Sequence, residues 1–370
     1  MGGSVKTENI GKLGFGYMRL PRIKSEFDYA QINKMADTFL NSGGTYFDAA
    51  YVYDGAEVAL CESVIKRHPR ESFQVASKLP VGMINPNRSA EDIFNTSLDR
   101  LGTDHIDFYL LHGINSIGNR QAEENGAWDF IKKLKSQGRI RHLGFSFHGK
   151  PEDLDEILTK HPETEFAQLQ INYWDWENPK VQARRLYEIA RKHDVPIIIM
   201  EPLLGGKLAS ADSPIVELLR GADPNVSVAS WALRFIAQLE GVFVTLSGMS
   251  TFDQLADNIK TYADFKPLSK DELVYIDKAI EILKGVPRIE CTSCNYCKDC
   301  PENIPIPQLI NLYNDHLIHK TTTNLGGSYN WITGGRGKAR ECTACGACES
   351  ICPQNLEIID TIAKVSKMFD

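Results

Sequence analysis

Apolar positions in the first 285 residues follow two periods. Short runs rich in β-branched and aromatic residues, at 12–18, 46–49, 73–77, 107–111, 139–145, 166–171, 196–200 and 242–246, read as buried strands. Between them apolar residues recur every three or four positions, over Tyr29–Asn41, Ala90–Leu101, 122–137 and 181–193, and read as helices with one buried face. Asp28 and Ser89 stand where helix N-caps are expected, and Gly138 where a C-cap is expected. Eight strands, each followed by a helix, predict an α/β fold in the form of a closed (β/α)8 TIM barrel. An extra helix over 270–283 closes the unit, and Gly285-Val286-Pro287 breaks the pattern, so residues 1–285 form one domain and 286–370 another. An open doubly wound sheet is the competing arrangement, but Gly14-Phe15-Gly16 continues as Tyr-Met-Arg and lacks the third glycine of a dinucleotide turn.

Composition narrows the function classes. With 42% hydrophobic and 24% charged residues the chain is an ordinary globular protein rather than a disordered one. A net charge of −7 argues against nucleic acid or an anionic membrane as partner. The longest apolar run, 195–200, is far too short to span a bilayer, and the start shows no apolar signal segment. The expectation is a cytoplasmic protein.

Cysteine placement changes the picture for the second domain. Cys61 stands alone and reads as a small buried hydrophobe. The other eight are Cys291, Cys294, Cys297 and Cys300, then Cys342, Cys345, Cys348 and Cys352. The first three recur 51 positions later and the fourth 52 later, and Pro301-Glu302-Asn303-Ile304-Pro305-Ile306 returns as Pro353-Gln354-Asn355-Leu356-Glu357-Ile358. This is an internal duplication. A reducing compartment disfavours disulfides, and cysteines two residues apart are placed to grip one metal centre. The second run, C-x2-C-x2-C-x3-C-P, resembles the bacterial ferredoxin pattern for a [4Fe–4S] cluster; the first is one residue shorter before its last cysteine. By that resemblance two clusters are held, one by Cys291, Cys294, Cys297 and Cys352, the other by Cys342, Cys345, Cys348 and Cys300. A four-cysteine zinc site is the alternative, and it leaves half of the thiols unexplained. The expected second domain is a small α-helical, ferredoxin-like iron–sulfur unit.

In a barrel of this type chemistry sits at the C-terminal ends of the strands. Strand 2 ends at Asp48, with Tyr53 five residues on, strand 3 ends at Lys78, and strand 4 runs into His112. Singly, such residues are ordinarily structural. Together they suit protonation of a carbonyl oxygen. A phenol titrates near 10, too high for efficient acid–base work at neutral pH, and a neighbouring ammonium lowers it. Tyr53 would be the proton donor, Lys78 its tuner, Asp48 the partner of Lys78, and His112 the group that orients the substrate oxygen.

From Gly11 to Leu283 the chain resembles the aldo-keto reductases. Phe47-Asp48-Ala49-Ala50-Tyr51-Val52-Tyr53, Ser77-Lys78-Leu79 and Asp107-Phe108-Tyr109-Leu110-Leu111-His112 carry the resemblance. It implies NADP(H) or NAD(H) bound extended across the barrel mouth, and reduction of a small-molecule aldehyde or ketone to an alcohol. Gly16, Tyr17, Met18 and Asp48 would lie against the cofactor. Ser146 and Gln168 would hold the carboxamide, and Met200 would stand where relatives stack an aromatic ring. Pro202, Leu203 and Gly205 would follow the diphosphate. Ser247, Gly248, Met249, Ser250, Gln254 and Asn258 would take the adenosine end, near a helix N-terminus suited to phosphate. Many NADPH-specific members carry Lys and Arg where this chain has Gly248 and Gln254, so the choice of coenzyme stays open; the asparagine that often follows the strand 5 serine in the family is Phe147 here.

The second domain resembles the dicluster extension of a subset of aldo-keto reductases. Hydride carries two electrons together, whereas each cluster passes one at a time. Three readings follow. The barrel reduces a carbonyl beside structural or sensing clusters; or a ferredoxin or other electron carrier feeds the barrel through the clusters; or the barrel binds cofactor without turnover and reports redox state.

Overall fold

The computed structural model describes residues 10–210, 213–319 and 325–370. They divide into two compact units: the chain up to Leu203 with Arg220–Leu273, and Leu204–Leu219 with Val274–Asp370.

The first unit is a closed barrel of eight parallel strands in chain order. They are β1 Leu13–Gly16, β2 Tyr46–Asp48, β3 Gln74–Pro80, β4 Ile106–Ile114, β5 Ile140–Phe147, β6 Phe166–Gln170, β7 Ile197–Met200 and β8 Val242–Ser247. Alternation along each strand sorts side chains to two sides. Tyr46, Phe108, Leu110, Phe166, Ile198, Val244 and Leu246 pack inside the barrel. Phe47, Tyr109, Phe145, Phe147 and Ile199 face outward into a second core. That outer core includes the apolar stripe of the helix Tyr29–Asn41, whose Asp28 cap accepts from the Gln31 N–H. The helix Ala90–Leu101 opens on a reciprocal Ser89–Asp92 capping box.

Two glycines are forced by this packing. A Cβ on Gly14 would lie 2.7 Å from Val244 Cγ1 and 2.8 Å from Leu246 Cδ2. One on Gly144 would lie 2.4 Å from the Phe166 carbonyl oxygen, a backbone atom that cannot step aside.

Three strands run further than polarity predicts. β3 continues to Pro80, β4 to Ile114 and β5 to Phe147, so Lys78, His112 and Ser146 lie within strands rather than after them. Polar residues at a barrel mouth look like strand ends in sequence, yet the ladder still pairs them, as Pro80 does with His112. The helix expected over 122–137 is two helices, Ser116–Glu124 and Ala127–Ser136, separated by Gly126 at φ +66°. Among the described residues no helix is long and apolar enough to cross a membrane.

The second unit has its own core, formed by Ile304, Ile306, Leu309, Ile310, Tyr329, Ile358, Ile362 and Val365. The duplicated sequence is also a duplicated backbone. Positive φ at Ser293, Asn295 and Asn303 recurs at Ala344, Gly346 and Asn355. The Asn303 N–H donates to Cys300 O at 2.8 Å, and the Asn355 N–H to Cys352 O at 3.1 Å. The helices Ile306–His319 and Ile358–Phe369 then start at matching points.

Candidate active site

β2, β3 and β4 bring the four predicted residues to one end of the barrel. Lys78 is fully buried, and its Nζ donates to Asp48 Oδ1 at 2.6 Å and to the Ala49 carbonyl at 2.8 Å. Asp48 is only 3% exposed, and its other oxygen, Oδ2, is buried without a hydrogen-bond partner. Burial pushes the Lys78 ammonium below its ordinary range and the Asp48 carboxyl above its own, and each charge opposes the other's shift. Tyr53 sits in the turn after β2, its N–H bonded to Ala50 O at 3.0 Å. Its ring centroid lies 4.8 Å from Lys78 Nζ and 5.9 Å from the His112 ring, which it meets edge-on at 83°. A phenol, an ammonium and an imidazole therefore share one small volume. Burial first, then the Lys78 charge and the neighbouring His148, hold His112 well below the usual histidine range, so the imidazole is neutral near pH 7.

An irregularity aims His112. Leu111 pairs with Phe145, but the next pair is Ile114 with Phe147, so β4 carries one residue more than β5 between them. Gly113 absorbs the bulge at φ +73° and donates its N–H to Ser146 Oγ at 3.0 Å. Behind the site, Glu57 is 1% exposed, accepts from Ser77 Oγ at 2.6 Å and pairs with Arg100 at 3.2 Å. Sequence reading passed over Glu57. It sits on a short helix, and only the fold carries it behind Lys78.

The residues expected to touch a cofactor divide. Ser146 and Gln168 are cross-strand partners on the inner face. The Gln168 amide donates to Met200 Sδ at 3.6 Å, and its Oε1 is buried without a partner. Gln168 Oε1 and Asp48 Oδ2 are unpaired acceptors at the mouth and so fit a ligand rich in N–H and O–H groups. Gly16 ends β1, and Met18 lies in the turn that follows. The Tyr17 side chain is turned into the core against Phe15 and Phe47, with its hydroxyl 2.9 Å from Ser63 Oγ, which leaves its backbone to face a cofactor.

The adenosine-end residues largely hold one another. Asn258 Nδ2 donates to Ser247 Oγ at 2.9 Å, Ser250 Oγ to Arg19 O at 2.6 Å, and the Ser250 N–H to Gln254 Oε1 at 2.7 Å. Met249 is buried in the outer core. The Arg19 side chain lies 3.4 Å from where a Gly248 Cβ would stand, a cation that the sequence reading did not single out. Pro202 is buried and Leu203 half-buried in the first unit. Gly205, at φ +66°, belongs to the second unit, where its Cβ would meet Thr292 O at 2.8 Å.

In the second unit Cys291, Cys294, Cys297 and Cys352 line one cavity with Thr292, Tyr296, Pro307 and Ile310, and Cys300 is not among the residues that line it. The Ser293 N–H donates to Cys291 Sγ at 3.4 Å. Burial, reinforced by its cysteine neighbours, pushes the Cys297 thiol up to about 12, and burial with Glu349 pushes Cys348 up to about 11. Thiols held that high become thiolates only when a metal takes them. Cys345 is exposed, unlike the buried Cys291. Cys61 is buried, away from these residues in sequence and in the other unit.

Comparison with known proteins agrees with both halves. Residues 290–357 match the 4Fe-4S dicluster domain. An aldo-keto reductase of Mycolicibacterium vanbaalenii is 27% identical over 254 residues, covering 68% of this chain and 84% of its own. Aldo-keto reductase str7 of Strobilurus tenacellus is 26% identical over 252 residues, covering 63% and 72%. In fold, the chain is similar to a Klebsiella pneumoniae aldo-keto reductase solved with NADPH, at TM-score 0.59 and 21% identity, covering 76% of this chain and 94% of that one. A Bacillus halodurans aldo-keto reductase in its holo form gives 0.60 and 24%, covering 73% and 92%. With residues 12–281 matching the Aldo/keto reductase family, and the buried lysine and carboxylate beside a tyrosine and a histidine at the barrel mouth, this chain belongs to that family.

Proposed function

We propose that this protein is an NAD(P)H-dependent carbonyl reductase that carries two [4Fe–4S] clusters. The observation that carries the reading is the Lys78 ammonium, 4.8 Å from the Tyr53 ring and anchored by Asp48 at 2.6 Å. A reduced nicotinamide, held by Ser146 and Gln168 with Asp48 nearby, supplies a hydride to the carbonyl carbon when bound. The chain's own residues do the rest. Neutral His112 donates a hydrogen bond to the substrate oxygen and fixes the carbonyl's orientation. Tyr53 gives its hydroxyl proton to that oxygen as negative charge develops on it, completing the alcohol. Lys78 stabilises the phenolate left behind, and Asp48 keeps Lys78 charged in a dry site. The tyrosine then recovers its proton from solvent, so one hydride and one proton enter for each carbonyl reduced.

Cys291, Cys294, Cys297 and Cys352 would hold one cluster, and Cys300, Cys342, Cys345 and Cys348 the other. Such clusters supply one-electron storage or transfer, and the exposed Cys345 marks the side open to a small electron carrier. Arg19, paired with Glu201 at 3.9 Å and standing beside Gly248, is the cation we assign to a 2′-phosphate, and NADP(H) is the coenzyme to try first.

The test is Tyr53→Phe, assayed anaerobically with NADPH and a series of aldehydes. Carbonyl reduction should fall by about a hundredfold or more while NADPH still binds. Unchanged turnover would refute the assignment of the acid.

A further inference from the structure

One buried polar group at the barrel mouth has no part in the scheme above. Both ring nitrogens of His148 are buried, and neither has a hydrogen-bond partner. The fold fixes where this ring lies. Gly144 faces the barrel interior against Phe166, and Ser146 pairs with inward-facing Gln168. Phe145 and Phe147 face the outer core. His148 continues that alternation, and its N–H donates to Ile114 O at 2.7 Å, extending the ladder beyond the bulge. The side chain therefore stands on the inner face, one step above Ser146 and on the side of β4. The electrostatics agree: Lys78 acts on His148, and His148 in turn acts on His112.

An unpaired buried imidazole is costly, because each nitrogen has given up water without replacement. Burial and the Lys78 charge hold this one down at about 4, so near neutrality it offers one N–H donor and one bare nitrogen acceptor. Either nitrogen suits a hydroxyl group, which can accept from the N–H or donate to the bare nitrogen. The nicotinamide carboxamide already has Ser146 and Gln168 one layer deeper. We infer that His148 is a specificity-determining residue that hydrogen-bonds a second oxygen of the substrate, next to the reacting carbonyl. The substrate class is then the hydroxylated aldehydes and ketones rather than their unsubstituted counterparts. This rests on the carbonyl-reductase reading, which it deepens.

The experiment compares kcat/KM for 2-hydroxypropanal and propanal with NADPH as reductant, in wild type, His148→Leu and His148→Gln. The full-length, cluster-loaded protein is used, and NADPH affinity is followed by fluorescence titration. The ratio of the two efficiencies should fall by roughly tenfold in His148→Leu, mostly through 2-hydroxypropanal, and recover in part in His148→Gln. NADPH affinity should be unchanged. A ratio constant within about twofold across the three proteins would overturn the inference, since a purely structural histidine lowers both activities alike. It would equally be overturned if NADPH affinity fell in step with both efficiencies, because the ring would then be a cofactor contact. Aldehyde reduction that is undiminished by Tyr53→Phe, or absent in wild type, would instead bring down the carbonyl-reductase reading, and this inference with it.

Discussion

Replacing Lys78 by methionine tests the physical centre of the site. The ammonium is fully buried, with two hydrogen bonds, at 2.6 Å to Asp48 Oδ1 and 2.8 Å to Ala49 O. Methionine keeps the volume and removes the charge. Asp48 is then a buried carboxylate with neither oxygen paired, since Oδ2 already lacks a partner. Breaking a buried ion pair in this way costs about 3–5 kcal/mol. The carboxyl can escape part of that cost by taking a proton, because burial already raises its pKa and Lys78 is the group that lowers it. A carboxyl raised in the folded state is favourable at low pH and loses stability as pH rises. The destabilisation of Lys78→Met should therefore grow by about 1.4 kcal/mol per pH unit above the ordinary carboxyl value near 4, until pH passes the raised folded value. Urea denaturation at pH 5.5 and pH 8 measures it. Adding Asp48→Asn removes the stranded charge, so the double variant should be more stable than the single one at pH 8 and should lose the slope. The kcat of both should drop by about a hundredfold or more, since the phenol has lost its tuner. A single variant that is as stable as wild type at both pH values, or a double variant no better than the single, would refute the argument that Asp48 is held charged by Lys78.

Two further outcomes follow from separate parts of the molecule. Gly144→Ala places a methyl 2.4 Å from the Phe166 carbonyl oxygen, so thermal unfolding should show a loss of about 1–3 kcal/mol, with the loss absent only if β5 and β6 can separate. Cys345→Ser should reduce the broad visible absorbance and the iron and sulfide content by about half, because it removes a donor from one of two clusters; purified protein containing zinc and no sulfide would refute the cluster assignment itself.

Much of the site was legible because its signals are local. Asp48, Lys78 and His112 stand at the ends of apolar runs, and Tyr53 falls five residues after Asp48. The duplication was legible because both halves kept the spacing of their first three cysteines and the Pro-x-Asn turn, whose asparagines share a positive φ. His148 was hidden by a boundary. Ending strand 5 at 145 placed Ser146 in a loop, whereas a strand reaching Phe147 puts Ser146 and His148 on one face. The inward turn of the Tyr17 side chain was not legible, since nothing in the residues around it shows that its hydroxyl would meet Ser63.

The sequence by itself determined most of the elements, the order of strand and helix, the two cysteine runs and the four residue types at the mouth. Each depends on periodicity or spacing within a short stretch, where chain connectivity alone fixes which residues are neighbours. Tertiary structure decided that Lys78 reaches Asp48 across 30 positions, that Cys352 joins the first cysteine group, that a bulge at Gly113 aims His112, and that Glu57 stands behind Lys78. Those contacts arise from barrel closure and strand register. Both are set by how whole side-chain layers pack, and no local pattern encodes that.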